Sequence, residues 1–124
     1  MSVKTEPNRI GDLVLYEGEK YYSRDVVTVA AGADLTVGAV LGKITANGKY
    51  VLSNPGVSDG SENPVAVLAK DAAAAAADVT DALVFTRDCI LRRDALNYHA
   101  DIDTAPERAT AQAALLALGI KLDQ

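Results

Sequence analysis

The stretch LTVGAVLGKITANGKYVLSNP, residues 35–55, carries the clearest indication of the fold. Glycines punctuate its β-branched and aliphatic residues. Asn47-Gly48 is a strong signal for a β-hairpin, because a type I′ turn needs positive φ at both central residues. Residues 41–46 enter the turn and residues 49–53 leave it. The stretch therefore predicts two antiparallel strands.

Four short runs outside this hairpin extend the strand pattern, because they are rich in β-branched or aliphatic residues. They cover residues 26–29, 65–69, 83–86 and 89–92. Arg87 and Asp88 separate the last two runs, which indicates a bulge or a bend. Residues 54–64, NPGVSDGSENP, are dominated by the residue types of turns and predict a loop.

The clearest helix lies near the C-terminal end, at about residues 105–118. Thr104 can cap its first turn, Pro106 suits that turn, and Glu107 lies near the positive end of the helix dipole. Gly119 is typical of the residue that ends a helix. These signals define both ends of the predicted helix.

Helical spacing also predicts which side of this helix packs on the core. The expected apolar face consists of Ala109, Ala113, Leu116 and Ala117, with Gln112 opposite. Residues 120–122 alternate between apolar and polar side chains, so we expect a final short strand there.

The composition favours a small, sheet-rich domain. The 124 residues suffice for one domain with a core, yet they include one Phe, one Met and no Trp. A core of small residues is typical of a thin sheet-rich domain, or of one that completes its burial against other subunits. We predict an α+β, mostly β fold with hairpins, a partly open barrel-like sheet and one C-terminal helix. An arm over residues 1–25 precedes this domain, which covers residues 26–124.

The N-terminal part shows a different pattern. Residues 1–12 have neither helical nor strand periodicity, so we expect a mobile arm. Residues 13–16, LVLY, have strand propensity, and Tyr16, Tyr21 and Tyr22 cluster in the same region. Tyrosine is favoured at protein interfaces, while an ordinary hairpin role for these residues is an equal alternative.

Charge and hydropathy argue against several classes of protein. The net charge is −5 at pH 7 and the Lys and Arg residues are scattered, so we expect no nucleic-acid surface. No apolar run approaches the ~18 residues of a membrane span. The first residues, MSVKTEPNRI, do not form a signal peptide, so we expect a soluble protein that stays in a cytoplasm or leaves it without secretion. Cys89 is the single cysteine and is expected to be buried.

The sequence shows no residue set typical of catalysis or metal binding. His99 is the single histidine, which is too few for a His-based metal site or charge relay. Asp101 and Asp103 precede the helix, where loop and capping roles are commoner than acid–base chemistry. We therefore predict no enzyme and no cofactor. The alternative is a small β-rich binding or carrier module, with Lys70 or residues 54–64 as its site.

Several elements, in order along the chain, resemble those of the bacteriophage lambda-type head-decoration proteins. They are the VGAVLG turn, the Asn-Gly hairpin, the Gly/Ser/Pro loop, the VAVLA strand and the strand pair LVFTRDCILRRDAL. The resemblance covers roughly residues 26–96, and the C-terminal helix follows in the expected place. Each element alone is common, whereas the ordered set is fairly specific.

The resemblance implies a protein that binds the outside of the expanded phage head as a homotrimer at local three-fold positions. There it would hold neighbouring subunits of the major capsid protein against internal DNA pressure, as part of a virion assembled in the host cytoplasm. The N-terminal arm would order on the capsid and add a strand to the shell. The residues expected to make this contact are Asp12, Leu13, Val14, Leu15, Tyr16, Tyr21 and Tyr22.

A run of six alanines, residues 72–77, lies between Asp71 and Asp78. Alanine is the best helix former, but an independent helix needs ~12–15 residues. Asp78 would also lie unfavourably at the negative end of a helix dipole. We expect a connector, either one helical turn or an extended segment, whose small side chains pack closely on a neighbouring subunit or on the capsid.

Overall fold

A computed structural model describes residues 13–17, 24–87, 89–92, 95–99, 102 and 105–122. Over these ranges the chain is mostly β with one C-terminal helix, which confirms the predicted fold class. The strands are β1 Val14–Glu17, β2 Arg24–Val29, β3 Ala33–Leu35, β4 Val40–Lys43, β5 Tyr50–Leu52, β6 Pro64–Leu68, β7 Ala72–Ala74, β8 Val79–Phe85, β9 Cys89–Leu91 and β10 Ile120–Leu122. The helix, α1, covers Ala105–Ala117 and precedes β10.

Five strands form a closed barrel in the order β2-β5-β4-β6-β8. Neighbouring strands run antiparallel, except that β2 and β5 are parallel and meet at Val29 and Tyr50. The Ala30 N–H donates a hydrogen bond of 2.9 Å to the Tyr50 carbonyl beside this pair. The barrel-like sheet is therefore confirmed, and this short contact closes it further than the predicted partly open form.

Alternation along the barrel strands separates two hydrophobic clusters. The inner cluster includes Leu41, Ala66, Leu68 and Val84. The outer cluster combines Val40, Val67 and Phe85 of the barrel with Leu91, Leu115 and Ile120 of an outer layer. This layer consists of α1 and a three-stranded sheet in the order β1-β9-β10. The small domain thus has one core inside the barrel and a second core between the barrel and its outer layer.

The hairpin of β4 and β5 is confirmed, but its turn is not the predicted two-residue turn. Ile44 and Lys49 still pair, through an Ile44 N–H donating to the Lys49 carbonyl at 2.8 Å, so four residues form the loop. Gly48 has the positive φ, 71°, that favoured glycine at this position. The Thr45 N–H donates to the carbonyl of Asp59 at 2.9 Å. The Thr45 backbone N–H therefore pairs with the loop that follows the hairpin rather than with the opposite strand.

Ala72–Ala74, the first half of the alanine run, form strand β7, so the run is extended there and does not make the helical turn that was the other predicted form of the connector. β7 pairs antiparallel with β3, and this two-stranded ribbon covers the inner core. Ala72 and Ala74 are buried there, while Ala73 is exposed. The side chains of Ala72 and Ala74 pack in the inner core of the chain's own barrel.

The two aspartates that flank the alanine run hold the ribbon in place. The Asp71 carboxylate accepts a hydrogen bond of 3.0 Å from the Val37 N–H. The Asp78 carboxylate accepts one of 2.8 Å from the Ala31 N–H and lies 2.6 Å from the Lys49 Nζ. Each aspartate therefore satisfies a backbone donor near one end of β3.

Acidification is expected to weaken the Asp78 contact. The hydrogen bond from Lys49 and then that from the Ala31 N–H lower the pKa of Asp78. Its contribution to stability is therefore fully present above the unfolded pKa of about 3.9 and is lost as pH falls through the lower folded pKa. When thermal unfolding is measured at a series of pH values, the melting temperatures of the Asp78→Asn variant and the parent should converge as the pH falls below ~4. A difference in melting temperature between the two proteins that stays constant down to the lowest pH measured would contradict this.

The helix is confirmed within one residue of the predicted C-terminal end, but its predicted apolar face is wrong. Ala111 and Leu115 are the buried residues of α1. The predicted face of Ala109, Ala113, Leu116 and Ala117 is exposed instead. Residues 109–118 are apolar on nearly every side, so periodicity alone could not distinguish the two faces. Gly119 ends the helix with a φ of 94°, and β10 forms as predicted, parallel to β9.

Candidate docking strand at the edge of the outer sheet

The residues expected to contact the capsid lead to β1. This strand pairs antiparallel with β9, with Val14 opposite Leu91 and Glu17 opposite Cys89. Within the described ranges, no strand pairs with the other edge of β1. An outer strand of a sheet is the structural element that β-augmentation uses.

Leu13, directly before β1, anchors this strand to the domain. Its side chain is fully buried in the outer core, and Val14 packs against the same cluster. The Leu13 carbonyl accepts a hydrogen bond of 2.7 Å from the Arg92 N–H. Leu13 therefore acts as a core residue that holds β1 on the domain.

An ion pair ties the end of β1 to the start of β2. Arg24 donates two hydrogen bonds of 2.7 Å, from Nε and Nη2, to the two carboxylate oxygens of Glu17. The Arg24 guanidinium also lies over the Phe85 ring, 5.4 Å from its centre. The side chains of Arg24 and Glu17 are 23% and 13% exposed, so water screens the pair less than a surface pair. The hydrogen bonds to Glu17 raise the pKa of Arg24 above its ordinary value, which keeps it charged.

Breaking the Glu17–Arg24 ion pair, here called the Glu17–Arg24 clamp, is expected to lower the free energy of unfolding measurably. Glu17→Gln and Arg24→Gln should each lose about 1–3 kcal/mol, because each leaves a partly buried charge without its partner. The double variant should lose less than the sum of the two. Urea unfolding measures all three.

Lys70→Gln is the matched control for this cycle. Lys70 lies 3.5 Å from Asp81, but its side chain is 51% exposed, so its removal should change stability by less than about 0.5 kcal/mol. Equal losses from the exposed pair and the Glu17–Arg24 pair would contradict the role given to the clamp.

The predicted contact residues have different positions in the structure. Leu15 and Tyr16 belong to β1, and Tyr16 is opposite Ile90 on β9. Asp12, Tyr21 and Tyr22 lie outside the described residues. Sequence reasoning missed Glu17 and Arg24, although opposite charges at the two ends of residues 18–23 are a signal that could have indicated the pair.

The alternative site residues occupy other parts of the surface. Lys70 lies in the connection between β6 and β7. The predicted loop is confirmed over residues 54–63, while Pro64 begins β6, and part of the loop borders a groove of about 140 Å³ against α1. The groove is lined by Pro55, Glu62, Asn63, Pro64, Ile102, Glu107, Thr110, Ala111 and Ala114.

The part of the chain that the structure describes shows neither a metal-ligand cluster nor a membrane-spanning helix. No three His, Cys, Asp or Glu side chains are grouped there as metal ligands would be. No helix in those ranges has the length and apolar character needed to span a bilayer. Cys89 is buried, as predicted.

Comparison with known proteins assigns the chain to a family. No curated protein matches the sequence significantly. A family model described as bacteriophage lambda head decoration protein D matches residues 3–120, nearly the whole chain. The match includes β1 and the helix, which lie outside the stretch on which the sequence resemblance rested. The chain therefore belongs to the bacteriophage lambda head decoration protein D family, a family of structural phage capsid proteins rather than of enzymes.

Proposed function

We propose that the protein binds the outer surface of the expanded phage head as a homotrimer at local three-fold positions and stabilises the shell against internal DNA pressure. Its partner is the major capsid protein, and assembly takes place in the host cytoplasm. The single observation that carries the proposal is the family match over residues 3–120. The net charge of −5 agrees with a protein that contacts neither nucleic acid nor membrane.

The geometry of β1 supports a specific mode of attachment. The edge of β1 opposite β9, with which no described strand pairs, can pair with a strand of the capsid protein, and residues 1–12 precede β1 directly. Asp12, Leu15, Tyr16, Tyr21 and Tyr22 stay in the proposed contact. Leu13 and Val14 contribute by holding β1 on the domain, because they pack in or against the outer core.

Binding to purified shells of the parent phage tests the proposal. The full chain should bind expanded shells with three copies at each local three-fold position. Its binding should also raise the force or temperature at which DNA-filled heads break. The chain lacking residues 1–12 should bind at least tenfold more weakly, because the arm contact is lost while β1 remains.

Immature shells are the control for the expanded surface, and we expect little binding to them. Circular dichroism of the shortened chain must match that of the full chain, so that weak binding is not caused by unfolding. Unchanged binding by the shortened chain would contradict the role of the arm. Absence of binding by the full chain would contradict the proposed function itself.

The groove between α1 and residues 54–64 favours a second candidate function, a small binding module. Its walls are largely apolar, with two carboxylates, Glu62 and Glu107, among the lining residues. A folded chain that fails to bind expanded shells, yet shows a saturable signal with a short basic and aliphatic peptide, would support this candidate.

A further inference from the structure

Asn47 is the asparagine of this chain whose neighbour most favours a reaction at its own side chain. In that reaction the backbone nitrogen of the following residue bonds to the side-chain Cγ, so a small and flexible following residue favours it. Gly48 follows Asn47, whereas Asn54 and Asn63 precede prolines, which have no N–H. Arginine and tyrosine follow the other two asparagines, and both are far bulkier than glycine.

The folded hairpin leaves the Asn47 side chain exposed to water but engages both reacting groups. The Gly48 N–H donates a hydrogen bond of 2.8 Å to the Ile44 carbonyl. The Asn47 Oδ1 accepts one of 3.0 Å from the Lys49 N–H, which restricts rotation of the side chain. The Gly48 nitrogen has to lose its proton before it attacks, so the reaction requires its hydrogen bond to Ile44 to break.

We propose that Asn47 is a site of spontaneous deamidation whose rate is set by opening of the four-residue hairpin loop over residues 45–48. In the open loop the deprotonated Gly48 nitrogen bonds to the Asn47 Cγ, and the bond from Cγ to the amide nitrogen breaks and releases ammonia. Water then opens the resulting five-membered imide at one of its two carbonyls, which leaves aspartate or isoaspartate at this position. The reaction is independent of the proposed function.

Contacts on two sides keep this loop closed. The Thr45 N–H donates to the Asp59 carbonyl at 2.9 Å. Gly60 packs so closely on Thr45 that an added Cβ would lie well inside 3.0 Å of the Thr45 Oγ1. The Lys49 Nζ lies 2.6 Å from the Asp78 carboxylate. Opening of the loop disturbs these contacts, so the reactive form is a minor population of the folded protein.

Asp59 and Gly60 form a second pair that could close the same imide, but its groups are less reactive. The Gly60 N–H donates to the Glu62 carboxylate at 3.0 Å. The Asp59 carboxylate accepts hydrogen bonds from the Oγ and the N–H of Ser61, which lower the pKa of Asp59. An ionised carboxylate resists attack, because the departing oxygen has to leave as water. Asn47 is therefore expected to react before Asp59.

The two products differ in their effect on the hairpin. Aspartate keeps the main chain and adds one negative charge at an exposed position. Isoaspartate routes the main chain through the side-chain carbon and lengthens the loop between Ile44 and Lys49, whose backbone groups pair at 2.8 Å. We therefore expect the isoaspartate form to unfold at lower urea concentration than the parent, and the Asn47→Asp variant to match the parent.

Peptide mapping by mass spectrometry, with an isoaspartate methyltransferase assay, tests the site. The full chain is incubated at mildly alkaline pH with and without guanidinium chloride. We expect the peptide containing Asn47 to change first, and roughly tenfold or more faster in the denaturant. The peptides containing the other asparagines are internal controls. Earlier change at another asparagine in the denaturant would overturn the assignment of the site, and equal rates in the two conditions would overturn the role of the loop.

Gly60→Ala tests the loop without altering Asn47 or Gly48. Its methyl group displaces the following loop from Thr45, so deamidation of the folded variant should be several-fold faster than in the parent. Val57→Ala, at an exposed position of the same loop, is the matched control and should react as the parent does. All three chains should react at one rate in guanidinium chloride. A folded Gly60→Ala chain, checked by circular dichroism, that reacts no faster than the parent would overturn the inference. If this variant does not fold, the comparison of the parent with and without denaturant still decides it.

Discussion

Gly42→Ala is expected to destabilise the protein by about 3 kcal/mol or more, because the added methyl group meets backbone that cannot move away. Gly42 is buried in β4, and a Cβ there would lie well inside 3.0 Å of the Ser61 carbonyl oxygen. Ser61 is itself fixed: its carbonyl accepts a hydrogen bond of 2.9 Å from the Ser53 Oγ, and its N–H donates to Asp59 at 3.0 Å.

Urea unfolding of Gly42→Ala and Gly48→Ala separates this clash from ordinary glycine strain. Gly48 has a φ of 71°, but the nearest atom to an added Cβ is the Lys43 Cε at 3.7 Å. That variant should lose only about 1–2 kcal/mol, the cost of a left-handed conformation for alanine. Comparable losses for the two variants would show that the loop over residues 53–63 can move off the barrel.

Removal of residues 1–17 is expected to destabilise the domain by about 3–5 kcal/mol, whereas removal of residues 1–12 should change its stability little. The longer deletion takes Leu13 out of the outer core and leaves β9 without its partner β1. It also removes Glu17, so that Arg24 keeps a partly buried charge without its carboxylate.

Thermal and urea unfolding of the two shortened chains measures this difference. Leu13→Ala in the full chain is the matched point variant and should lose about 2–4 kcal/mol, while Leu116→Ala, at an exposed position, should lose far less. If the chain lacking residues 1–17 were as stable as the parent, β1 would not be an integral part of the domain. The result also decides which deletion can be used in shell-binding experiments.

Local signals in the sequence predicted most of the strands and the helix. Asn47-Gly48 marked the hairpin, and Pro106 and Gly119 marked the two ends of α1, because each of these residues restricts the backbone on its own. The capsid-binding family followed from the order of these elements. Closure of the barrel did not follow, since one short parallel contact at Val29 and Tyr50 brings distant segments together.

Part of the candidate site was also predictable. Residues 13–16 were expected to form a strand, and β1 covers Val14–Glu17. The partner of β1 inside the domain, β9, was not predicted, because pairing depends on which edges meet in three dimensions. The Glu17–Arg24 clamp was missed for the same reason: the two charges become a pair only when β1 and β2 are brought together.

The sequence by itself determined the β-rich class, the hairpin, the helix and the family, because these depend on turn chemistry, propensity and the order of motifs along the chain. Only the tertiary structure decided that residues 72–74 of the alanine run form a strand and that Leu116 faces outward. Propensity favours a helix for alanine, but pairing with β3 and close packing on the inner core favour a strand. The residues of α1 are apolar on both sides, so the shape of the surface that receives Leu115, rather than periodicity, selects the buried face.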